Sequence, residues 1–501
     1  MLRQISHRMP VLILLLFLAT GCGNKAIQVE APIVPVGLPE HEVAFDEGLR
    51  AFRLGTPEGY KSAAGSFRKA AELEQTRCEY ALHWSESLYF LAQEQKENWE
   101  DFAPTVSEAN TSLDLAGRAS DCDNFESYTA RLRTLRGIFA GTRTADSITA
   151  INRAIELDRD DPMNWIVLSQ LRPALQVGQS LAPSQLATQL DPDLALGQYE
   201  VGNYLLSRPN ASAFAQAKQA FERTLARSPL HFQAILGTVY SLSLNELEAA
   251  RRTEPLLLRA VDIAPASLKV RLALGDHYAG LEETEKAIEQ YKAASDRNPR
   301  YYPALLAAGI AFVTANRSDE AEKAFSAVIK LEVNKPHPPF NLADFGAAAQ
   351  AHYYLGNIFL EREELRQARA SFNAANENIV NYALAIYGLG IVSYKEGKLE
   401  EALKHLDRVI QIGPRQYPNA YLVRGGIRAD RRQFPESLQD LNLAIEIYRE
   451  QAVALEAKAK QDELNGFKRR ADSQRRRKVL IEATLEKARE TKKTVETLMG
   501  G

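Results

Sequence analysis

One spacing, repeated along the second half of the chain, limits what the chain can become. Counting from Gly275, a small or aromatic residue falls 12, 16, 19 and 24 positions on, at Ala287, Tyr291, Ala294 and Pro299. Tyr278 lies one helical turn after the glycine. In a pair of packed antiparallel helices, Gly275 and Ala287 are where the two backbones approach, and Leu274, Tyr278 and Tyr291 fill the space around that contact. Pro299 ends the second helix. Gly309, Phe312, Ala321 and Phe325 occupy the same offsets one unit further on. After an insertion come Gly356, Phe359, Ala368, Phe372 and Ala375, then Gly390, Ala402, Leu406, Val409 and Pro414 with no gap. Gly425, Ser437, Leu441 and Ala444 give a looser copy. Backward along the chain, Gly237, Tyr240, Leu257, Ala260 and Pro265 form a copy lengthened by four residues, and Gly202, Ala217, Phe221 and Pro229 one lengthened by three.

This pattern resembles the tetratricopeptide repeat, a helix-turn-helix unit of about 34 residues. The resemblance implies an all-α fold, an α-solenoid with about seven repeats over residues 195–451. It implies a mode of action, protein binding, without naming a partner. In that family the first helix of each repeat lines the concave face. Carried onto this chain, the inward positions are Tyr199 and Asn203, Leu272 and Asp276, Leu306 and Ile310, then Tyr353, Asn357, Leu360, Tyr387, Ile391, Tyr394 and Lys395. The set is aromatic, aliphatic and amide. It does not match the Lys/Asn/Arg clamp with which chaperone-binding members hold a C-terminal carboxylate. It suits an apolar or aromatic segment of another protein, held as a helix or an extended peptide. The alternative is that some of these residues pack against a neighbouring repeat or the chain's own tail.

The first 21 residues read as an export signal, with Arg3 and Arg8 ahead of the apolar run Val11 to Leu18. That run is too short to span a bilayer. Ala19-Thr20-Gly21-Cys22 resembles the lipobox of bacterial lipoproteins, although the leucine usual at the first place of that motif is Ala19 here. The resemblance implies a lipid on Cys22 and a membrane tether, and Gly23 after it implies the outer membrane, with the chain facing the periplasm. Pro32, Pro35 and Pro39 make residues 22–40 a spacer.

Residues 41–194 open with a recognisable helical pair at Gly48, Ala63, Phe67 and Ala70, with extra residues in its turn. Beyond Glu79 the small-residue positions blur, while Leu82, Leu88, Tyr89 and Leu91, and then Ile148, Ile151, Ala154 and Ile155, keep helical periodicity. Degenerate repeats are expected there; a separate helical domain is the alternative. Cys78 and Cys122, the only cysteines besides Cys22, are expected at the same end of a hairpin in an exported chain, where a bridge is permitted.

A formal net charge of −3 implies no overall attraction to nucleic acid. The sequence holds no phosphate loop, dinucleotide fingerprint or nucleophile motif, so no enzyme, cofactor or metal is expected. His83, His231, His277, His352 and His405 fall beside apolar helical positions and read as packing groups. His337 sits in the proline-rich insertion Lys335 to Phe340, which is read either as a contact loop or as a tolerated one. Residues 452–501 read as a charged helix, with Lys468, Arg469, Arg470, Arg475, Arg476, Arg477 and Lys478 clustered. That helix either extends the last repeat or meets an anionic surface. The expected function is a periplasmic lipoprotein scaffold for envelope proteins. The alternative is an accessory or enzymatic protein for envelope polysaccharide, with its site between residues 79 and 191.

Overall fold

A computed structural model describes residues 38–119, 125–140, 144–171, 181–207, 211–245, 249–333, 344–464 and 468–500. Cys22, Cys122 and the loop carrying His337 lie outside the described residues. The chain divides into two units, Met1–Pro39 and Glu40–Gly501, and the second holds the fold described below.

Among the described residues the fold is helical throughout, as an antiparallel series of hairpins. The first four are α1 (Glu40–Phe52) with α2 (Pro57–Leu73), α3 (Cys78–Glu97) with α4 (Ala103–Ala116), α5 (Glu126–Ala140) with α6 (Thr144–Leu157), and α7 (Pro162–Gln170) with α8 (Leu181–Leu190). Next are α9 (Ala195–Leu206) with α10 (Ala211–Arg227), α11 (Phe232–Asn245) with α12 (Ala249–Ile263), and α13 (Leu268–Gly280) with α14 (Thr284–Arg297). They continue as α15 (Tyr302–Thr314) with α16 (Ser318–Lys330), α17 (Phe345–Glu361) with α18 (Leu365–Asn378), and α19 (Ala383–Lys395) with α20 (Leu399–Ile412). The last hairpin pairs α21 (Pro418–Asp430) with the long α22 (Phe434–Leu464), and α23 (Lys468–Gly500) folds back antiparallel along α22. Each helix packs on the next, which is the one-dimensional architecture of a solenoid.

The spacing read from the sequence is a steric lock. A Cβ added to Gly275 would lie 2.4 Å from the Tyr291 ring, one at Gly309 2.5 Å from Phe325, and one at Gly356 2.5 Å from Phe372. In each case the ring 16 residues on fills the place of the missing side chain. Gly48 and Gly202 meet Phe67 and Phe221 in the same way, three residues later because their turns are longer. Ala287, Ala321, Ala368 and Ala402 are fully buried opposite.

A second regularity lies in the turns. Gly55, Glu282, Asn316, Glu363, Gly397 and Arg432 all have positive φ, between 58° and 76°, and each lies seven residues after its repeat's glycine. The left-handed residue ends the first helix and aims the second back along it. Only two of the six are glycine, so the other four side chains sit in strained backbone.

Adjacent repeats are tied by arginines. Arg362 reaches back to Asp319 at 2.7 Å and Glu322 at 2.5 Å, and Arg369 reaches forward to Glu396 at 2.8 Å and Glu401 at 2.6 Å. Cys78 is completely buried at the start of α3 and is disulfide-bonded.

Candidate functional site

The concave face has two different fates along the chain. In its first part the chain fills it. The α3–α4 turn reaches across to α13: Asn98 Oδ1 accepts from Leu268 N at 3.1 Å and from Ser267 Oγ at 3.2 Å, which adds a cap to the first turn of that helix. Lys269 pairs with Glu97 at 2.5 Å, and the Asn298 amide donates to the Trp99 carbonyl at 2.9 Å. The Trp99 ring meets Tyr301 and Tyr302 edge-on, with centroids 5.8 Å and 5.1 Å away. Gln233 of α11 donates to Glu94. Burial pushes the Glu94 carboxyl up to about 8, with the Glu97 charge adding to the shift.

This packing uses several residues the sequence assigns to an open groove. Tyr199 is half-buried beside His231 and Phe221, and its hydroxyl is held well above the ordinary phenol range by desolvation and by Glu97 and Glu94 of α3. Asn203 hydrogen-bonds that hydroxyl. Leu272 packs in a cluster with Trp99. Leu306 and Ile310 pack on the central core, and Asp276 accepts from the Tyr291 hydroxyl at 2.8 Å. Five of these six are half-buried in the chain's own packing, while Asp276 stays exposed. A hollow of about 700 Å³ remains between α2, α3 and the α12–α13 turn. Charged groups on its wall engage one another, with Arg68 3.8 Å from Glu108 and Glu108 accepting from Trp84 at 3.2 Å.

Deeper in the N-terminal half lies a polar cluster that the sequence reading does not single out. Arg131 of α5 donates to Glu86 of α3 at 2.8 Å, to Asn164 of α7 at 2.9 Å and to Asp161. Tyr128 joins them, bonding Glu86 and, at 2.9 Å, His83. The Arg131 and Glu86 side chains are only 1% and 2% exposed. Burial lowers His83 to about 3, so it is neutral at ordinary pH. The groups converge as catalytic groups do, yet they are buried and satisfy one another. Their effect is to join the first helices of three successive hairpins. The local signal for part of the cluster is Asp161-Pro162, where Asp161 caps α7 through Met163 N at 2.8 Å.

In the second part the concave face is open. Tyr353 of α17, Leu384 and Tyr387 of α19, Tyr417, Pro418 and Asn419 at the start of α21, and Tyr448 and Gln451 of α22 surround a cleft of about 380 Å³. Gln416 completes one side, and Leu480, Ile481 and Thr484 of α23 form the far wall. None of the described residues that line it is charged. The α23 wall is fixed by Leu485 and Ala488, which pack with Tyr421, Ile445 and Tyr448, while Leu480 remains 69% exposed at the lip. Burial holds the Tyr387 phenol up near 12, with Tyr353 adding to the shift, so it stays a neutral donor. Tyr448 donates to Asn419 Oδ1.

Of the groove residues expected from sequence, the cleft gathers Tyr353 and Tyr387. Leu360 packs under Phe372, Tyr394 is exposed on α19 beyond the cleft, and Lys395 lies 3.5 Å from Glu363. Asn357 and Ile391 are half-buried on α17 and α19. Three bases of the tail are partnered: Arg475 with Glu463, Lys478 with Glu456 at 3.0 Å, and Arg476 with Glu282 at 3.0 Å. Among the described residues no group of His, Cys, Asp or Glu is arranged to hold a metal ion, and no helix is long and apolar enough to cross a membrane.

The tetratricopeptide repeat family model matches residues 272–338, which cover α13 to α16 and include the Gly275–Tyr291 and Gly309–Phe325 locks. These residues match the tetratricopeptide repeat family, and the same glycine–ring lock recurs outside them, at Gly202 with Phe221 and Gly356 with Phe372. A similar curated protein is the anaphase-promoting complex subunit cut9 of Schizosaccharomyces pombe, 23% identical over 175 residues; that match spans 34% of this chain and 24% of the relative's length. The crystal structure of an anaphase-promoting complex Cut9–Hcn1 assembly covers 91% of this chain and 96% of its own, at 13% identity and TM-score 0.38. A MamA crystal structure covers 36% of this chain and 96% of its own, at 22% identity and TM-score 0.31. PilF of Pseudomonas aeruginosa covers 45% and 93%, at 13% identity and TM-score 0.38. An array of such repeats is suited to protein–protein interaction.

Proposed function

We propose that the chain is a lipid-tethered interaction scaffold of a bacterial envelope, which holds a segment of a partner protein in the cleft between α17, α19, α21 and α23. The observation that carries the binding site is the uncharged, tyrosine-lined cleft, in a molecule whose α3–α4 turn packs against the start of α13. Buried aromatic anchors with a polar rim are the arrangement in which a few contacts supply most of the binding energy. The tether rests on the signal-like residues 1–21 ending at Cys22. With Gly23 after the cysteine, the reading is a scaffold on the periplasmic side of the outer membrane.

Two measurements test this. A photo-crosslinking residue in place of Leu384, 37% exposed at the cleft, is expected to form a covalent adduct with one envelope protein, and the adduct is expected to vanish on Tyr387→Ala. Adducts that persist in that variant refute the cleft. Cys22→Ser is expected to leave the membrane fraction or keep its signal. Unchanged fractionation and gel mobility refute the tether.

A further inference from the structure

We propose that the end of α22 and the start of α23 form a strap beside the cleft, latched to the α13–α14 turn by the Arg476–Glu282 ion pair, and that unlatching it admits the segment the cleft binds. The gating clause rests on the reading of the cleft as a peptide site; the strap and its latch do not.

The strap is a projection of the last hairpin. Up to Tyr448, α22 buries Ser437, Asp440, Leu441, Ala444, Ile445, Ile447 and Tyr448, several of them in a cluster with Tyr421 of α21. From Ala452 to Leu464 it buries only Ala452, Ala459 and Asp462, spaced along one face, and α23 packs along α22. Ala471 and Gln474 are the buried residues at the described start of α23. A stretch that buries so little apolar area belongs to the easily moved part of a fold. Leu480 shows that the strap is not packed down on the repeats. It lines the cleft opposite Tyr353 and Leu384 yet stays 69% exposed, and Val479 next to it is 62% exposed. Leu485 and Ala488, buried with Tyr421, Ile445 and Tyr448, are the fixed root about which the strap turns.

What ties the outer part to the repeats is charge. Arg476, one helical turn before Leu480, donates to Glu282 at 3.0 Å across 194 residues of chain. Among the described residues the other ion pairs of this stretch stay within the hairpin, Arg475 with Glu463 and Lys478 with Glu456 and Glu482. Glu282 is a costly residue for its place. It holds φ at 61°, left-handed backbone that Gly397 supplies to a later repeat without strain, and its carboxylate is the group that meets the strap. The Arg476 side chain is 67% exposed and that of Glu282 33%, so water and salt screen the pair and the latch opens readily.

The test reads the strap and the cleft separately in the full chain. Spin labels on ketone-bearing residues in place of Glu289 and Ala457, exposed positions on α14 and on the strap, report their separation by pulsed dipolar spectroscopy without any partner and leave the native cysteines alone. The unaltered chain is expected to give one dominant distance. Arg476→Glu, which sets two acids against each other, is expected to add a longer population at least as large, with helical content unchanged. Glu282→Arg combined with Arg476→Glu restores the pair in reverse and is expected to restore the single distance. In the same variants, without the spin labels, the adduct from position 384 is expected to rise at least twofold and then return. Distances that ignore Arg476→Glu, or that the reversed pair does not restore, overturn the latch. Distances that respond while the adduct stays constant overturn the gating. If distances respond and no adduct forms in any variant, the cleft reading fails and the latch stands.

Discussion

The two ends of this solenoid use the same hairpin for opposite purposes. Around α3 and α13, the concave face is sealed by the chain itself, through Asn98, Trp99 and Glu97. Around α17 and α19, tyrosines at equivalent helical positions face a cleft with the tail as its far wall. Tyr199 and Tyr387 show the contrast most directly. Each is a half-buried aromatic of a first helix, yet one packs against His231 and Phe221 and the other lines the cleft. A repeat therefore supplies a position that faces inward, and what meets that position is decided by distant parts of the chain.

The largest expected effect is at the buried cluster. Arg131→Met removes the partner of two carboxylates inside the N-terminal half, and such a loss costs about 3–5 kcal/mol. In a solenoid the damage stays mostly with neighbouring repeats. Denaturant unfolding should show an early transition for the N-terminal hairpins, while the crosslink from position 384 measured below that transition stays within twofold. A proportional loss of both would mean that the halves are not separate in their roles.

Trp99→Ala sharpens the comparison, because it unfastens the seal without touching the cleft. Two edge-on aromatic pairs are lost, worth about 1–3 kcal/mol together. Hydrogen exchange should accelerate in the α3–α4 turn and at the start of α13, and not in α19 or α23. Equal acceleration in α19 would show that the seal also shapes the cleft.

The seal carries its own pH dependence. Glu94 titrates near 8 in the fold against an ordinary value of 4.5, so between those values the folded chain holds a proton that the unfolded chain has released. Stability therefore falls as pH rises through that window and levels off above about 8. Glu94→Gln should flatten this slope, with the greatest gain over the unaltered protein above pH 8. A thermal melting series from pH 5 to 9 on both proteins decides it, and identical slopes would remove Glu94 from the account.

The smallest effect is in a turn of the open half. Arg432 sits at φ 61° where Gly397 serves the preceding repeat. Arg432→Gly relieves left-handed strain of about 1–2 kcal/mol and gives back part of it as unfolded-state entropy, leaving a gain of up to about 1 kcal/mol. A fall in the denaturation midpoint would show that the arginine side chain contributes more than its backbone costs.

Much of the fold was legible in the sequence, because a helix-on-helix contact leaves a local record. A glycine faces a large apolar side chain 16 positions on where the turn is of standard length, and Gly275 with Tyr291 or Gly356 with Phe372 can be found by counting. The left-handed turn residue at the seventh position was equally countable, but it is hidden by Glu282, Glu363 and Arg432, side chains that give no turn signal. In the candidate site, Tyr353 and Tyr387 were legible as inward positions. Tyr417, Tyr448 and Leu480 were not, since they come from a helix start, a second helix and the tail, which share no register with the groove.

What the sequence determined by itself is the hairpin, its period and the inward face of each first helix, all set by sterics between residues fewer than about two dozen positions apart. Only the tertiary structure decided which stretch of that face stays open. Asn98 meets Leu268, and Leu480 lines the same cleft as Tyr387, across long intervals of chain. Such contacts arise because small rotations between repeats add up until the solenoid meets itself, and no local spacing encodes that sum.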